Sequence, residues 1–227
     1  MKNWIWALPA VLLVVGVSAF AYLSIPSAVT DVTLEDTTSQ DINEVDDAPQ
    51  VIGYVGCSNT WQTIEGYHAA GGDKFWPANK NYGGGTIAAW ANTIDSGSKY
   101  WAAFDHFVAL YPDTDTIWWQ LCVRHEEANA PYADAEKLLE AIHDRVPDAM
   151  VYVSSLPEYP DAECGITETI GIERGDALVI ELLEKNPELV AGPVLQPMTS
   201  DKTTFDNCHI NDESRPLLGA ELKVFFD

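Results

Sequence analysis

Short apolar runs alternate with amphipathic segments along most of the chain. The apolar runs predict strands at residues 51–55, 116–123, 150–154 and 193–196. The amphipathic segments predict helices at residues 59–70, 87–91, 100–110, 132–145 and 170–184, and residues 216–226 form either a terminal helix or an apolar tail. Strands separated by helices build parallel βαβ units, so the pattern predicts an α/β fold, a three-layer α/β/α sandwich around a parallel sheet.

Two segments before residue 51 lie outside this pattern. Residues 5–23 carry no charge and follow Lys2, as in a signal peptide, but the apolar stretch is long enough to span a bilayer. Residues 1–30 are therefore expected to be a signal peptide or an N-terminal membrane anchor, with membrane attachment through residues 4–25. Residues 31–50 hold seven acidic residues and no basic one, which predicts a disordered linker before a folded domain at 51–227.

Charge and cysteine content narrow the class of protein. Lys and Arg number 12 against 35 Asp and Glu, a net charge of −23, which argues against a nucleic-acid partner. All four cysteines lie in the predicted domain: Cys57, Cys122, Cys164 and Cys208. Their wide spacing disfavours a zinc site, and two disulfides with three alternative connectivities are expected. The domain is therefore predicted to lie outside the cytoplasm, either secreted or membrane-anchored.

A serine stands where the first predicted strand turns into a helix. Ser58 follows Gly56-Cys57, so its hydroxyl is expected at the exposed turn and its N–H at the positive end of the helix. Such a serine is either a nucleophile or simply the N-cap of the helix. The segment is not the G-x-S-x-G elbow of the α/β-hydrolases, because Thr60 occupies the position of the second glycine.

Two further segments supply the partners that a nucleophilic serine needs. Asp206 precedes His209 by three residues, a spacing that allows the carboxylate to accept a hydrogen bond from one ring nitrogen while the other faces a site. The alternative is a surface aspartate and a structural histidine. Residues 81–86 form a glycine-rich loop in which the N–H of Gly84 or Gly85 is a candidate oxyanion donor, although a glycine there also suits a simple turn.

The order of these three segments resembles the SGNH (GDSL-like) hydrolase family over residues 51–227. The resemblance implies a catalytic Ser58, a general base His209 and an orienting Asp206. It also implies a flavodoxin-like sandwich with the first strand central. The family's chain order further implies disulfides Cys57–Cys122 and Cys164–Cys208.

Two family positions carry different residues here. Cys57 stands where the family usually has the Asp of its Gly-Asp-Ser motif, which is not a member of the triad. Arg124 stands where the family has an asparagine that donates to the oxyanion. Either Arg124 replaces that donor or holds an anionic part of the substrate, or the site is altered or inactive.

The sequence therefore predicts an exported serine hydrolase of the esterase or acetylesterase type. The expected substrate is an ester, such as an acyl group on a carbohydrate or a small lipid, and no metal or organic cofactor is implied. The alternative is an inactive SGNH scaffold that binds a glycan or a protein through tryptophan-lined loops. The candidate lining residues are Trp61, Trp76, Trp90 and Trp101, whereas Trp118 and Trp119 are expected in the core. His68, His106 and His143 are expected to be structural. His125 lies near the predicted site, and whether it contacts substrate or has a structural role is left open by the sequence.

Overall fold

The structure is a computed structural model that describes residues 50–127, 129, 132–161 and 164–227. The predictions for residues 1–30 and for 31–49 of the linker lie outside this range. Within it, no helix is long and apolar enough to cross a membrane. The strands are β1 (Val51–Val55), β2 (Thr114–Leu121), β3 (Met150–Ser155) and β4 (Val190–Ala191). The helices are α1 (Ser58–Ala69), α2 (Ile87–Ala91), α3 (Lys99–Leu110), α4 (Tyr132–His143), α5 (Glu168–Lys185) and α6 (Arg215–Phe226), with 3₁₀ helices at Lys80–Tyr82 and His125–Glu127.

The four strands form one parallel sheet in the order β1-β2-β3-β4, which confirms the predicted α/β class. Beyond β1 the sheet continues as a single bridge between Ile52 and Phe75. Its hydrogen bonds run from Ile52 N–H to Lys74 O and from Trp76 N–H to Ile52 O, each 2.9 Å. The expectation of a central first strand is corrected here, because the strand on this side of β1 is reduced to one bridging residue.

The last strand lies earlier in the chain than predicted. β4 covers only Val190–Ala191, which pair with Tyr152 and Val153, and the predicted strand at 193–196 is wrong. Pro193 has no N–H to donate to a ladder, and Val194 is 97% exposed rather than packed against the sheet. Residues 193–196 therefore form an irregular segment after the strand, in which Pro193 and Leu195 are buried and Val194 is exposed.

The core lies on both sides of β2. Seven of its eight residues are buried, including Trp118 and Trp119 as predicted, so helices cover both faces of the sheet. One set of packed helices is α1 with α6, and another is α4 with α2 and α5. Residues 215–226 thus form a helix rather than a tail, and the three-layer sandwich is confirmed.

Helix α1 is held very close to α6. A Cβ atom on Gly219 would lie 2.0 Å from the carbonyl carbon of Gly66, so only glycine permits this approach. Because α1 begins at the serine singled out by the sequence, this contact also fixes the position of that serine in the fold.

Candidate active site

The turn between β1 and α1 places Ser58 at the first position of the helix. The N-cap residue is Cys57, so the interpretation of Ser58 as the N-cap is wrong. The Cys57 N–H donates to Thr60 Oγ1 over 2.9 Å, and that hydroxyl donates to Gln120 Oε1 of β2 over 2.8 Å. The Cys57 N–H and the Thr60 hydroxyl thus have partners other than Ser58. The hydroxyl of Ser58 is therefore not needed to stabilise the turn.

The structure brings together the serine, histidine and aspartate predicted from the sequence. His209 Nε2 lies 2.8 Å from Ser58 Oγ, and its Nδ1 lies 2.5 Å from Asp206 Oδ2. The two ring nitrogens therefore contact the two partners on opposite sides of the imidazole. This is the order of contacts that general-base activation of a serine needs.

Asp206 is held as a carboxylate. Its Oδ1 accepts hydrogen bonds from the Thr204 hydroxyl and from the N–H groups of Cys208 and His209, over 2.7 to 3.0 Å. Burial acts to raise the pKa of Asp206, but these bonds and the one to the His209 ring outweigh it and hold that pKa well below its ordinary value. Asn207, at φ 56°, closes the turn in the left-handed region that asparagine tolerates.

The two glycines of the loop that were candidate donors differ in whether their N–H groups have partners. Gly84 lies at φ 81° on the cavity wall, and its N–H has no hydrogen-bond partner among the described residues. The alternative of Gly85 as the donor is wrong, because its N–H already donates to Tyr82 O over 2.9 Å. A Cβ on Gly85 would lie 2.4 Å from Gly56 O, so this glycine instead lets the loop pack against the end of β1.

Arg124 reaches the site from the end of β2. It is exposed, lines the same cavity as Ser58, and its Nη2 would lie 3.7 Å from a Cβ on Gly84. No carboxylate of the described residues lies within 4.0 Å of its guanidinium, in contrast to Arg145 and Arg215, which pair with acidic side chains. Its charge is therefore available to an anion in the cavity.

Both disulfides expected from the family order are present, Cys57–Cys122 and Cys164–Cys208. The first ties the end of β1 to the end of β2, and the second ties the segment after β3 to the loop of His209. All four cysteines line a cavity of about 200 Å³. The other lining residues are Ser58, Asn59, Gly84, Thr86, Val123, Arg124, Leu156, Tyr159, Ile166, Thr167 and His209.

Two residues that contact the histidine loop were missed by the sequence analysis. Asn59 and Tyr159 both hydrogen bond to the carbonyl oxygen of Cys208, over 3.1 and 2.9 Å. Asn59 follows Ser58 directly, which is a usable signal. Tyr159 lies 100 positions away from Asn59, and nothing in the local sequence marks it.

The alternative hypothesis of a non-catalytic binding domain required a groove lined by tryptophans, and most of the tryptophans predicted to line it lie in the core instead. Trp76, Trp90 and Trp101 are at most 1% exposed, so that prediction is wrong, and only Trp61 is half-buried. His68 has a structural position, with its ring nitrogens 3.0 and 3.1 Å from two backbone carbonyls. His125 lies near Ile166 O and is not part of the cavity wall.

No family model matches the sequence, and no curated protein matches it. Solved structures do match. A carbohydrate acetylesterase family member from Sinorhizobium meliloti is 14% identical with a TM-score of 0.53, over 77% of this chain and 96% of that one. A protein from Slackia heliotrinireducens, described as a candidate SGNH hydrolase, is 13% identical with a TM-score of 0.51, over 78% of this chain and 99% of that one. The chain therefore has the α/β fold of the SGNH hydrolases.

Proposed function

We propose that the chain is an exported ester hydrolase that works through a Ser58, His209 and Asp206 triad. The observation that carries the proposal is the continuous line of contacts from Ser58 Oγ to His209 Nε2 and from Nδ1 to Asp206 Oδ2. Three residues from the two ends of the domain meet in this order, and Ser58 and His209 lie on the wall of one cavity.

The reaction is a two-step acyl transfer. His209 Nε2 takes the proton of Ser58 as Oγ bonds to the ester carbon, and the same proton passes to the leaving alcohol as the ester C–O bond breaks. Water then loses a proton to His209 and attacks the acyl-enzyme, releasing the acid and restoring Ser58. Asp206, kept ionised by its hydrogen bonds, stabilises the imidazolium in both steps.

The oxyanion is stabilised from two sides. The N–H groups of Ser58 and Gly84 donate to it, and the start of α1 adds the positive end of the helix dipole. Arg124 takes the place of the family asparagine on the same cavity wall and contributes a full positive charge. One such donor is typically worth about 10² to 10³ in rate.

The substrate is an ester with a short acyl group, on a carbohydrate or a small lipid. The cavity is about 200 Å³, and its lining includes the buried Val123 and Leu156 and the exposed Ile166, which suit a short apolar chain. The similarity to a carbohydrate acetylesterase family member favours a sugar ester. Two disulfides in the domain fit an oxidising compartment and hence export.

A fluorophosphonate probe tests the proposal directly, because it reacts covalently only with an activated serine. We expect the disulfide-intact protein to be labelled, and labelling to be lost in Ser58→Ala and His209→Ala. Ser96→Ala is the matched control, since Ser96 is exposed and bonds only to Thr93 O. A folded wild-type protein that is not labelled would refute the proposal and leave the non-catalytic binding domain as the alternative.

A further inference from the structure

The buried carbonyl group of Cys208 attaches the loop that carries His209 to α1, the helix that carries Ser58. Cys208 O accepts a hydrogen bond from Asn59 Nδ2 over 3.1 Å and another from Tyr159 Oη over 2.9 Å. Asn59 is the residue after Ser58, and Cys208 is the residue before His209. The contact therefore joins the immediate neighbours of both reacting side chains.

Asn59, Tyr159 and Cys208 form a cluster in which every side-chain donor has an acceptor. One amide hydrogen of Asn59 goes to Tyr159 Oη over 2.7 Å and the other goes to Cys208 O, while the single hydroxyl hydrogen of Tyr159 also goes to Cys208 O. Burial raises the pKa of Tyr159 well above its ordinary value, so its hydroxyl keeps this proton. Each donor in the cluster thus has one acceptor.

The orientation of the Asn59 amide leaves one of its polar atoms buried without a hydrogen bond to the described residues, which is energetically unfavourable. Its Oδ1 is buried and has no partner among the described residues. The opposite orientation would place Oδ1 against the carbonyl oxygen of Cys208, so two acceptors would face each other. The Asn59 amide therefore keeps the orientation in which Nδ2 donates to Cys208 O, even though its Oδ1 stays without a hydrogen bond to any described residue.

A second contact holds the loop on the other side of the histidine. The Ile210 N–H donates to Gln62 Oε1 over 3.0 Å, and Gln62 lies one helical turn after Ser58 on α1. His209 is thus flanked on both sides by backbone groups that α1 binds. Its ring position depends on these contacts as well as on Asp206.

We propose that Asn59 and Tyr159 are positioning residues, which hold the Cys208 carbonyl and thereby keep His209 Nε2 within reach of Ser58 Oγ. The inference rests on the proposed function. When either contact is lost, the loop samples arrangements in which the ring no longer reaches the serine. The rate of acylation then falls, while binding of the substrate changes little.

Tyr159→Phe is the sharpest test, because it removes one oxygen and keeps the ring that lines the cavity. The variant loses the bond that Oη donates to Cys208 O and the bond that Oη accepts from Asn59 Nδ2. Because the first of these holds the loop of His209, we expect kcat for 4-nitrophenyl acetate to fall about tenfold, with KM changed less than twofold. Tyr152→Phe is the matched control: Tyr152 packs against Phe225 and Phe226, and its hydroxyl has no hydrogen-bond partner among the described residues. Its kcat should equal that of the wild type.

Two further measurements separate positioning from a general loss of structure. Asn59→Ala combined with Tyr159→Phe should lose little more than the worse single variant, because both act on one carbonyl. In a His209→Ala background, Tyr159→Phe should cause no further fall in the residual rate, because it acts only through the histidine.

The outcomes distinguish this inference from the function on which it rests. A wild type that neither hydrolyses the ester nor reacts with the fluorophosphonate would overturn both. A reactive wild type would leave the function standing, and the positioning inference would then be overturned by any of three results. These are a Tyr159→Phe rate equal to that of Tyr152→Phe, a loss expressed mainly in KM, and losses that multiply in the double variant.

Discussion

The hydroxyl of Thr60 holds the turn before the candidate nucleophile. The variant Thr60→Val tests how much this hydroxyl contributes to the free energy of unfolding. Thr60 Oγ1 accepts the Cys57 N–H and donates to Gln120 Oε1, and all three residues are buried. Valine fills nearly the same volume but makes neither bond. The disulfide to Cys122 keeps Cys57 in place, so its N–H cannot turn towards water.

The expected loss follows from counting the groups left unpaired. Thr60→Val leaves two buried polar groups without a partner, the Cys57 N–H and Gln120 Oε1. Each typically costs about 1–3 kcal/mol, so the free energy of unfolding should fall by about 2–6 kcal/mol. Thr63→Val is the matched control on the same helix. Thr63 is equally buried but its Oγ1 only donates to Asn59 O, a carbonyl inside α1, so it should lose about 1 kcal/mol or less.

Equilibrium urea unfolding of the oxidised wild type and both variants measures the difference. Threonine and valine have similar helix propensities, so the backbone contribution cancels between the two variants. The reasoning is refuted if the two variants lose the same free energy to within about 0.5 kcal/mol. It is also refuted if Thr60→Val unfolds at the wild-type midpoint.

Three other predictions follow. Replacing Cys164 and Cys208 together by alanine opens a loop of 44 residues, which should cost about 4 kcal/mol in urea unfolding; a loss below about 1 kcal/mol would contradict this. Asp206→Asn should lower the free energy of unfolding above about pH 4, and its difference from the wild type should shrink as the pH falls below that value, because the unfolded wild-type chain then gains a proton at Asp206 while the folded chain keeps the carboxylate; a difference independent of pH down to about pH 2 would oppose these hydrogen bonds. Arg124→Gln should lower kcat on a neutral ester by about 10²-fold, with Arg124→Lys losing less, and an unchanged kcat in both would remove Arg124 from the oxyanion site.

The elements of the fold and three residues of the candidate site were predictable because each depends on local sequence. Apolar runs and amphipathic periods located β1, β2, β3 and the longer helices to within about two residues. Ser58 and the Asp206-x-x-His209 segment were recognisable because strand ends and short spacings are properties of neighbouring residues.

What the sequence did not predict depends on contacts between distant residues. The bridge at Phe75 and the two-residue β4 are set by where the sheet ends, and local composition does not encode that. Trp76, Trp90 and Trp101 were misplaced because an aromatic side chain suits a groove and a core equally well. Tyr159 was missed because it meets Asn59 only after the domain has folded.

Each reacting side chain in the candidate site is preceded in sequence by a half-cystine: Cys57 comes before Ser58, and Cys208 comes before His209. Oxidation therefore does more than stabilise the domain, since it adds a covalent constraint next to each of these two side chains. A reduced chain lacks both constraints. The two cystines thus make the geometry of the candidate site depend on the redox conditions around the protein.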